Sequence, residues 1–170
     1  MSAPLPWLHC RINSPLGQIQ LARTDRGVCG AWFVDEQKHA PAPDNFVPAQ
    51  HKPHDPLLRL AAEQLQACFA GRLQAFDLPL DLSAGTVFQQ AVWQALLRIP
   101  HGKTDSYLAL ATALGKPSAT RAVGAAVGRN PVSIIVPCHR VLGHTGQLTG
   151  YAGGLWRKQA LLKLEGHSLF

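Results

Sequence analysis

A chain of 170 residues has room for one ordinary domain or two small ones packed together, with a sizeable buried core. Its 46% hydrophobic and 15% charged residues exclude a disordered polymer, and no stretch approaches the ~20 uninterrupted apolar residues of a membrane span. Met1–Trp7 lacks the charged-then-apolar order of a signal peptide, so a cytoplasmic address is the expectation. The net charge of +6 is unevenly placed. Residues 1–84 carry seven Lys/Arg against eight Asp/Glu, a net of −1, and residues 85–170 carry nine against two, a net of +7. That contrast divides the chain into 1–84 and 85–170. A basic half beside a neutral one suits a polyanion partner such as nucleic acid, and a solvated basic face with no partner is the alternative.

In chain order, residues 8–12, 17–23 and 27–34 read as a strand meander, with Asn13-Ser14-Pro15-Leu16-Gly17 and Asp25-Arg26-Gly27 as its turns. Residues 39–56 hold five prolines and no periodicity, and read as a loop. A helix follows from Asp55 as N-cap, with Pro56 at its first position and Gly71 as its stop. Leu58, Ala61, Leu65, Cys68 and Phe69 form its apolar stripe. Phe76–Leu82 alternates loosely, as one more strand would.

Beyond residue 85 the pattern turns helical. Thr86-Val87-Phe88-Gln89 fits a capping box, and Phe88, Val92, Leu96 and Ile99 mark a buried face that Pro100 ends. Ser106–Leu114 reads as a short helix closed by Gly115. Pro117-Ser118 opens another, through Arg121 and Val123 towards Gly128, halted by Asn130-Pro131. With the turn Gly115-Lys116-Pro117 between them, the two make a helix-turn-helix whose second member would be the recognition helix.

Of the four cysteines, Cys10, Cys29 and Cys68 lie in apolar or strand-like surroundings and read as free core thiols, with no metal-finger or redox spacing among them. Cys138 differs. The apolar run Ser133-Ile134-Ile135-Val136 delivers Pro137-Cys138-His139-Arg140. A thiol attacks as thiolate, and a neighbouring imidazole can take its proton while a cation holds the charge. In an extended segment Cys138 and His139 would point to opposite faces, so proton transfer would need a bridging water. Cys beside His alone also fits a purely structural pair.

Pro137-Cys138-His139-Arg140-Val141, Thr149-Gly150-Tyr151-Ala152-Gly153-Gly154, Arg157-Lys158, Leu161-Leu162 and Glu165-Gly166 together resemble the O6-alkylguanine-DNA alkyltransferase (methylated-DNA–protein-cysteine S-methyltransferase) family. So do Phe88-Gln89, Val92-Trp93, Ile99-Pro100, Ser106-Tyr107, Arg121-Ala122-Val123-Gly124 and Asn130-Pro131. The resemblance is dense from Gly85 to Gly166 and reaches more loosely to Ser14-Pro15-Leu16-Gly17.

The resemblance implies an α/β (α+β) fold: a small ribonuclease-H-like module over 1–84, then a helical winged-helix domain over 85–170 bearing a helix-turn-helix. It also implies direct-reversal DNA repair. An alkyl group of O6-alkylguanine, and of O4-alkylthymine, passes once and irreversibly to Cys138, with no cofactor. Extrusion of the base is required because the O6 carbon lies inside the duplex. His139 would deprotonate Cys138 through a water, and Glu165 would orient that imidazole. Tyr107 would hydrogen-bond the guanine, Asn130 would brace the turn before the cysteine, and Arg121 would fill the vacated stack. Ala122, Val127, Arg129 and Lys116 complete the DNA face. Tyr151, the carbonyls of Cys138 and Val141 and the N–H of Ala152 would form the base pocket. The implied partner is double-stranded DNA, entered from the minor groove with low sequence specificity by a monomer.

Residue by residue, plainer readings stand beside these: Glu165 as a solvated charge, Tyr107 as core, Arg121 as a phosphate contact and Asn130 as a turn residue. The chain departs from many relatives at His101, Asp105, Val127 and Arg129. Leu5 and Thr24 stand where some relatives hold zinc with cysteine, so no metal is expected. A damage binder without chemistry would carry Trp at position 138, and a methylation-responsive transcription factor would need domains for which 170 residues leave no room.

Overall fold

The turn residues between the first three apolar segments do what their chemistry dictates. The computed structural model describes residues 4–168, so the first three positions of Met1–Trp7 lie outside the described residues. Strands β1 (Leu8–Ile12), β2 (Ile19–Thr24) and β3 (Gly27–Phe33) form an antiparallel meander in the order β1-β2-β3. The Ser14 hydroxyl donates to the Gly17 carbonyl at 2.6 Å and accepts the Leu16 amide, closing the first turn. At Ala22/Arg23 the β2–β3 register shifts, with Cys29 as the extra residue on β3.

All seven residues of β3 are buried, because both faces of the sheet are covered. Helix α1 (Pro56–Phe69) packs Leu58, Ala61 and Leu65 against one face. On the other, Trp7 stacks on Trp32 at 6.0 Å, and Phe46 approaches the same indole at 5.9 Å. Phe46 comes from the proline-rich segment read as a loop, which carries two 3-10 turns, Pro43–Asn45 and Pro48–Gln50, each opened by proline. Composition without periodicity thus encodes a cover for the sheet.

Asp55 caps α1 by accepting the amides of Leu57 and Leu58 at 3.1 and 3.0 Å, and its carboxylate also meets Arg23 of β2 at 3.1 Å. The helix closes in a Schellman motif, Gly71 N–H to Cys68 and Arg72 N–H to Ala67. Phe76–Leu82 does not form a strand. It meets β3 through a single bridge, Val28 with Leu80, flanked by Val28 N–H to Pro79 and Asp81 N–H to Val28. Pro79 has no N–H to extend a ladder, which explains the failure of the alternation to become strand.

The second half is helical. Helix α2 (Val87–Leu96) starts with the capping box of Thr86 and Gln89 and buries Val92, Trp93 and Leu96. The Trp93 indole N–H donates to the Ala126 carbonyl at 2.8 Å, locking α2 onto α4. Strand β4 (Asp105–Ser106) pairs in parallel with β5 (Val141–Leu142). Helix α3 (Tyr107–Ala113) is capped by Ser106, and α4 (Thr120–Gly128) follows a 3-10 turn at Pro117–Ala119. Between them Gly115, at φ +71, donates to Thr112 while Lys116 N–H reaches Ala111, and only glycine adopts that left-handed backbone without penalty. Helix α5 (Leu155–Leu164) ends the described fold.

The two halves meet along the free edge of β3. Ala31 N–H donates to the Pro131 carbonyl at 2.9 Å, and Ser133 N–H to the Ala31 carbonyl at 3.0 Å. Among the described residues no helix is long and apolar enough to cross a membrane.

Asp55→Ala removes the cap of α1 and its tie to β2. The unfolding free energy should fall by about 1–2 kcal/mol. Urea titration should show the midpoint move with no change in slope.

Candidate active site

One buried side chain shapes the turn that delivers the cysteine. The Asn130 amide donates to the Val136 carbonyl at 2.8 Å, and its oxygen accepts the Val132 N–H at 3.0 Å. Inside that turn Ile134 sits at φ +73, a conformation β-branched residues rarely adopt. The bonds Ile135 N–H to Ser133 and Val136 N–H to Val132 hold it there. Pro137 then opens a 3-10 turn, Cys138–Arg140, and not an extended segment. Arg140 N–H bonds to Pro137 and Val141 N–H to Cys138, and this winding separates the side chains, Cys138 to a cavity and His139 towards α5.

Cys138 is 5% exposed and lines a cavity of about 440 Å³ shared with Tyr107, Tyr151 and Ala152. One wall is α4, whose Thr120, Gly124, Val127 and Gly128 follow helical spacing along one face, with exposed Arg121 beside them. Thr149 donates to the Tyr107 hydroxyl at 3.1 Å, which leaves the phenol's own proton for the cavity.

Behind the thiol lies a buried charge network. The Nε2–H of His139 donates to Glu165 Oε1 at 2.8 Å. Arg140 holds the same carboxylate, its Nε 3.0 Å from both oxygens and its Nη2 2.7 Å from Oε1, while its Nη1 donates to the Ile99 carbonyl at 2.6 Å. Glu165 is the C-cap of α5, where Gly166 at φ +97 closes a Schellman motif: Gly166 N–H to Lys163 and His167 N–H to Leu162. The other ring nitrogen of His139, Nδ1, is buried with no hydrogen-bond partner among the described residues.

The electrostatics follow from this burial. Burial pushes the Cys138 thiol up, against the Asn130 amide and the charge of Lys158. Burial also lowers His139, though Glu165 opposes it, so the imidazole is neutral near pH 7. Burial raises Glu165, but the hydrogen bonds from His139 and Arg140 outweigh it and hold the carboxyl at about 2. An ionised carboxylate can only accept, which assigns the proton to Nε2 and leaves Nδ1 basic. Lys158, 0% exposed, donates to the carbonyls of Thr149 and Gly150 at 3.1 and 3.4 Å, and burial lowers its ammonium to about 8.

The structure therefore brings together Cys138, Tyr107, Arg121, Val127, Tyr151 and Ala152 around one cavity, with Asn130, His139 and Glu165 supporting it from behind. Val127 is buried and forms cavity wall. Ala122 and Arg129 are exposed on α4 and its C-cap, and Lys116 lies over the Phe88 ring at 5.3 Å. Val141 is fully buried, pairs with Asp105 and is not among the cavity-lining residues. Thr24, one of the positions where some relatives use cysteine, donates its hydroxyl to Asp81 at 2.6 Å.

Sequence reasoning misses the buried anchoring contacts of three motif residues: Arg140, Arg157 and Lys158. A signal existed for the last two. Arg157 and Lys158 sit four residues before Leu161 and Leu162, on the buried side of α5, where a cation requires partners.

A buried thiol backed by a neutral imidazole, itself fixed by a carboxylate, has the make-up of a nucleophile for covalent group transfer, and here it is built onto a helix-turn-helix. The sequence profile described as "6-O-methylguanine DNA methyltransferase, ribonuclease-like domain" matches residues 9–82, and that described as "6-O-methylguanine DNA methyltransferase, DNA binding domain" matches 87–167. A methylated-DNA–protein-cysteine methyltransferase of Methanosarcina barkeri is 46% identical over 158 residues, covering 93% of this chain and 96% of the relative. One of Mycobacterium leprae is 48% identical over 163 residues, covering 95% and 94%. The crystal structure of Mycobacterium tuberculosis OGT in complex with DNA superposes with a TM-score of 0.81 at 47% identity, covering 92% of this chain and 91% of that one. This chain belongs to the 6-O-methylguanine DNA methyltransferase family.

Glu165 ties this site to acid stability. Its carboxyl is depressed from 4.5 to about 2 on folding, so its contribution is complete above pH 4.5 and vanishes as pH falls through 2. Across that window unfolding free energy should drop by about 3 kcal/mol from this group. Urea titrations between pH 5 and 2 should show the drop, and Glu165→Gln should flatten it; an unchanged profile in the variant refutes the assignment.

Proposed function

We propose that this chain repairs DNA by moving an alkyl group from O6-alkylguanine, and from O4-alkylthymine, to its own Cys138. The observation that carries this reading is the pairing of the buried Cys138 thiol with a neutral His139. The Nε2–H of that imidazole is committed to an ionised Glu165, and its Nδ1 has no partner among the described residues. Because burial raises the thiol, Cys138 needs a base, and Nδ1 takes its proton through a water. The thiolate attacks the alkyl carbon; a C–S bond forms, the bond from that carbon to O6 breaks with its electron pair going to the base, and the restored guanine, still in the DNA, takes up one proton, balancing the one Cys138 gave to His139. Tyr107, whose proton is free for the cavity, hydrogen-bonds the departing base.

Cys138 is buried within its cavity and a base stacked in a duplex is buried in turn, so the nucleotide must be extruded to bring the two together. Helix α4 approaches the minor groove, Arg121 takes the place of the extruded base, and Arg129, Lys116 and Ala122 lie along the duplex. Minor-groove reading is degenerate, so binding tolerates most sequences. Tyr151, the Ala152 N–H and the Cys138 carbonyl read the base, and Val141, off the cavity lining, supports that segment through β5. No group in the cavity is suited to cleave a thioether, so each monomer reacts once. No cofactor or metal enters this chemistry, and the protein works in the cytoplasm or wherever DNA is accessible. The units divide at 84/85.

Intact mass after incubation with an O6-methylguanine duplex should rise by one methyl, about 14 Da, on the peptide containing Cys138. Methyl on Cys10, Cys29 or Cys68, or several turnovers per molecule, sinks the mechanism. Arg121→Ala removes the wedge that offsets a few kcal/mol per unstacked step. Transfer from duplex should therefore slow far more than reaction with free O6-benzylguanine, and equal losses would make Arg121 a pocket residue instead.

A further inference from the structure

The cavity beside Cys138 is not made by the second half alone. Lys38 and His39, from the loop that follows β3, also line it. This loop is fastened to the active-site segment. The Lys38 N–H donates to the Ala152 carbonyl at 2.8 Å, and the Trp156 indole reaches Glu36 at 3.5 Å. The main fastening is Arg157, 1% exposed, on α5. Its guanidinium donates to the carbonyls of Leu16 (2.8 Å), Asp35 (3.1 Å) and Gly153 (3.1 Å) and to the Asp35 carboxylate (2.6 Å). It is held between the rings of Phe33 and Trp156, 4.1 and 4.5 Å away. Four oxygens and two aromatic faces leave this side chain one position, and with it the loop 35–39. Within the loop Glu36 and His39 adopt left-handed backbone, at φ +56 and +62, which such fastening sustains.

The fastening holds up two exposed side chains, Lys38 and His39, one of them a cation, at the rim of a cavity whose interior is mainly apolar. A nucleotide swung into that cavity brings its base inward and leaves its phosphodiesters at the mouth. Arg121 on α4 is the other cation on the same lining. We infer that the loop 35–39 is a wall of the base pocket contributed by the first domain, and that Lys38, with His39 beside it, binds a phosphate flanking the extruded nucleotide. The inference rests on the alkyl-transfer reading above and assigns DNA contact to a domain whose net charge is −1.

The test compares wild type with Lys38→Ala and Lys38→Arg on three probes: an O6-methylguanine duplex, an O6-carboxymethylguanine duplex and free O6-benzylguanine. Loss of one phosphate contact should slow transfer from both duplexes by about five-fold more than it slows the free base, and lower the log–log salt slope by about one. Lys38→Arg should restore both. A loss confined to the carboxymethyl duplex would make the adduct's carboxylate the anion and overturn the phosphate assignment. Equal losses on duplex and free base, or no loss on any probe, would overturn the inference outright. If wild type itself transfers nothing to Cys138, the proposed function has failed; if wild type transfers and Lys38→Ala matches it, only this inference has.

Discussion

The Cys138 thiol is buried, and the rest of the site follows from that. That burial raises the thiol and disfavours its reactive ionised form. On the proposed reading His139 is the base for that thiol, and burial keeps it neutral, as a base needs to be. A neutral imidazole has two tautomers, of which one offers Nδ1 as acceptor. Glu165 selects it by accepting from Nε2, and can do so because Arg140 keeps it ionised. Arg140 in turn donates from Nη1 to the Ile99 carbonyl, just beyond α2. Each buried polar group is tolerable only because the next one satisfies it, so the network stands or falls together.

The first domain has a mechanical part in this. A sheet edge offers unpaired amides and carbonyls, and β3 uses its edge to hold Pro131 and Ser133, the residues just before the strained turn at Ile134. Asn130 closes that turn from one side and β3 anchors it from the other. The thiol is thereby positioned by elements about a hundred residues apart, Ala31 and Val132 being paired across the domains. The near-neutral half of the chain is the frame on which the cysteine segment hangs.

What could be read from the sequence was local. The capping box at Thr86 and Gln89, the cap at Asp55 and the glycine stops at Gly71 and Gly115 are short-range devices, and the structure contains all of them. The fold class and the cavity-facing cysteine followed from motifs in order along the chain. Phe76–Leu82 misled because alternation does not reveal that Pro79 breaks the ladder. Arg140 and Arg157 carried no visible role because their partners are distant: Ile99 is 41 residues from Arg140, and Leu16 is 141 from Arg157. Nor does composition disclose that Lys38 and His39 reach the cavity; that depends on how a loop after β3 is pinned by a helix at the other end of the chain.

The charge asymmetry takes on a different meaning once burial is known. Of the nine cations after residue 84, Arg140, Arg157 and Lys158 are buried and spend their charge on Glu165, Asp35 and backbone carbonyls. Nine less three leaves six at the surface: Arg98, Lys103, Lys116, Arg121, Arg129 and Lys163. Arg121 and Arg129 belong to α4 and its end, and Lys116 to the turn before it. A duplex laid along that helix therefore meets about three cations, which would neutralise about three phosphates, far fewer than the sequence total suggests. On the proposed reading, such a surface would leave discrimination to the cavity lined by Cys138, Tyr107 and Tyr151.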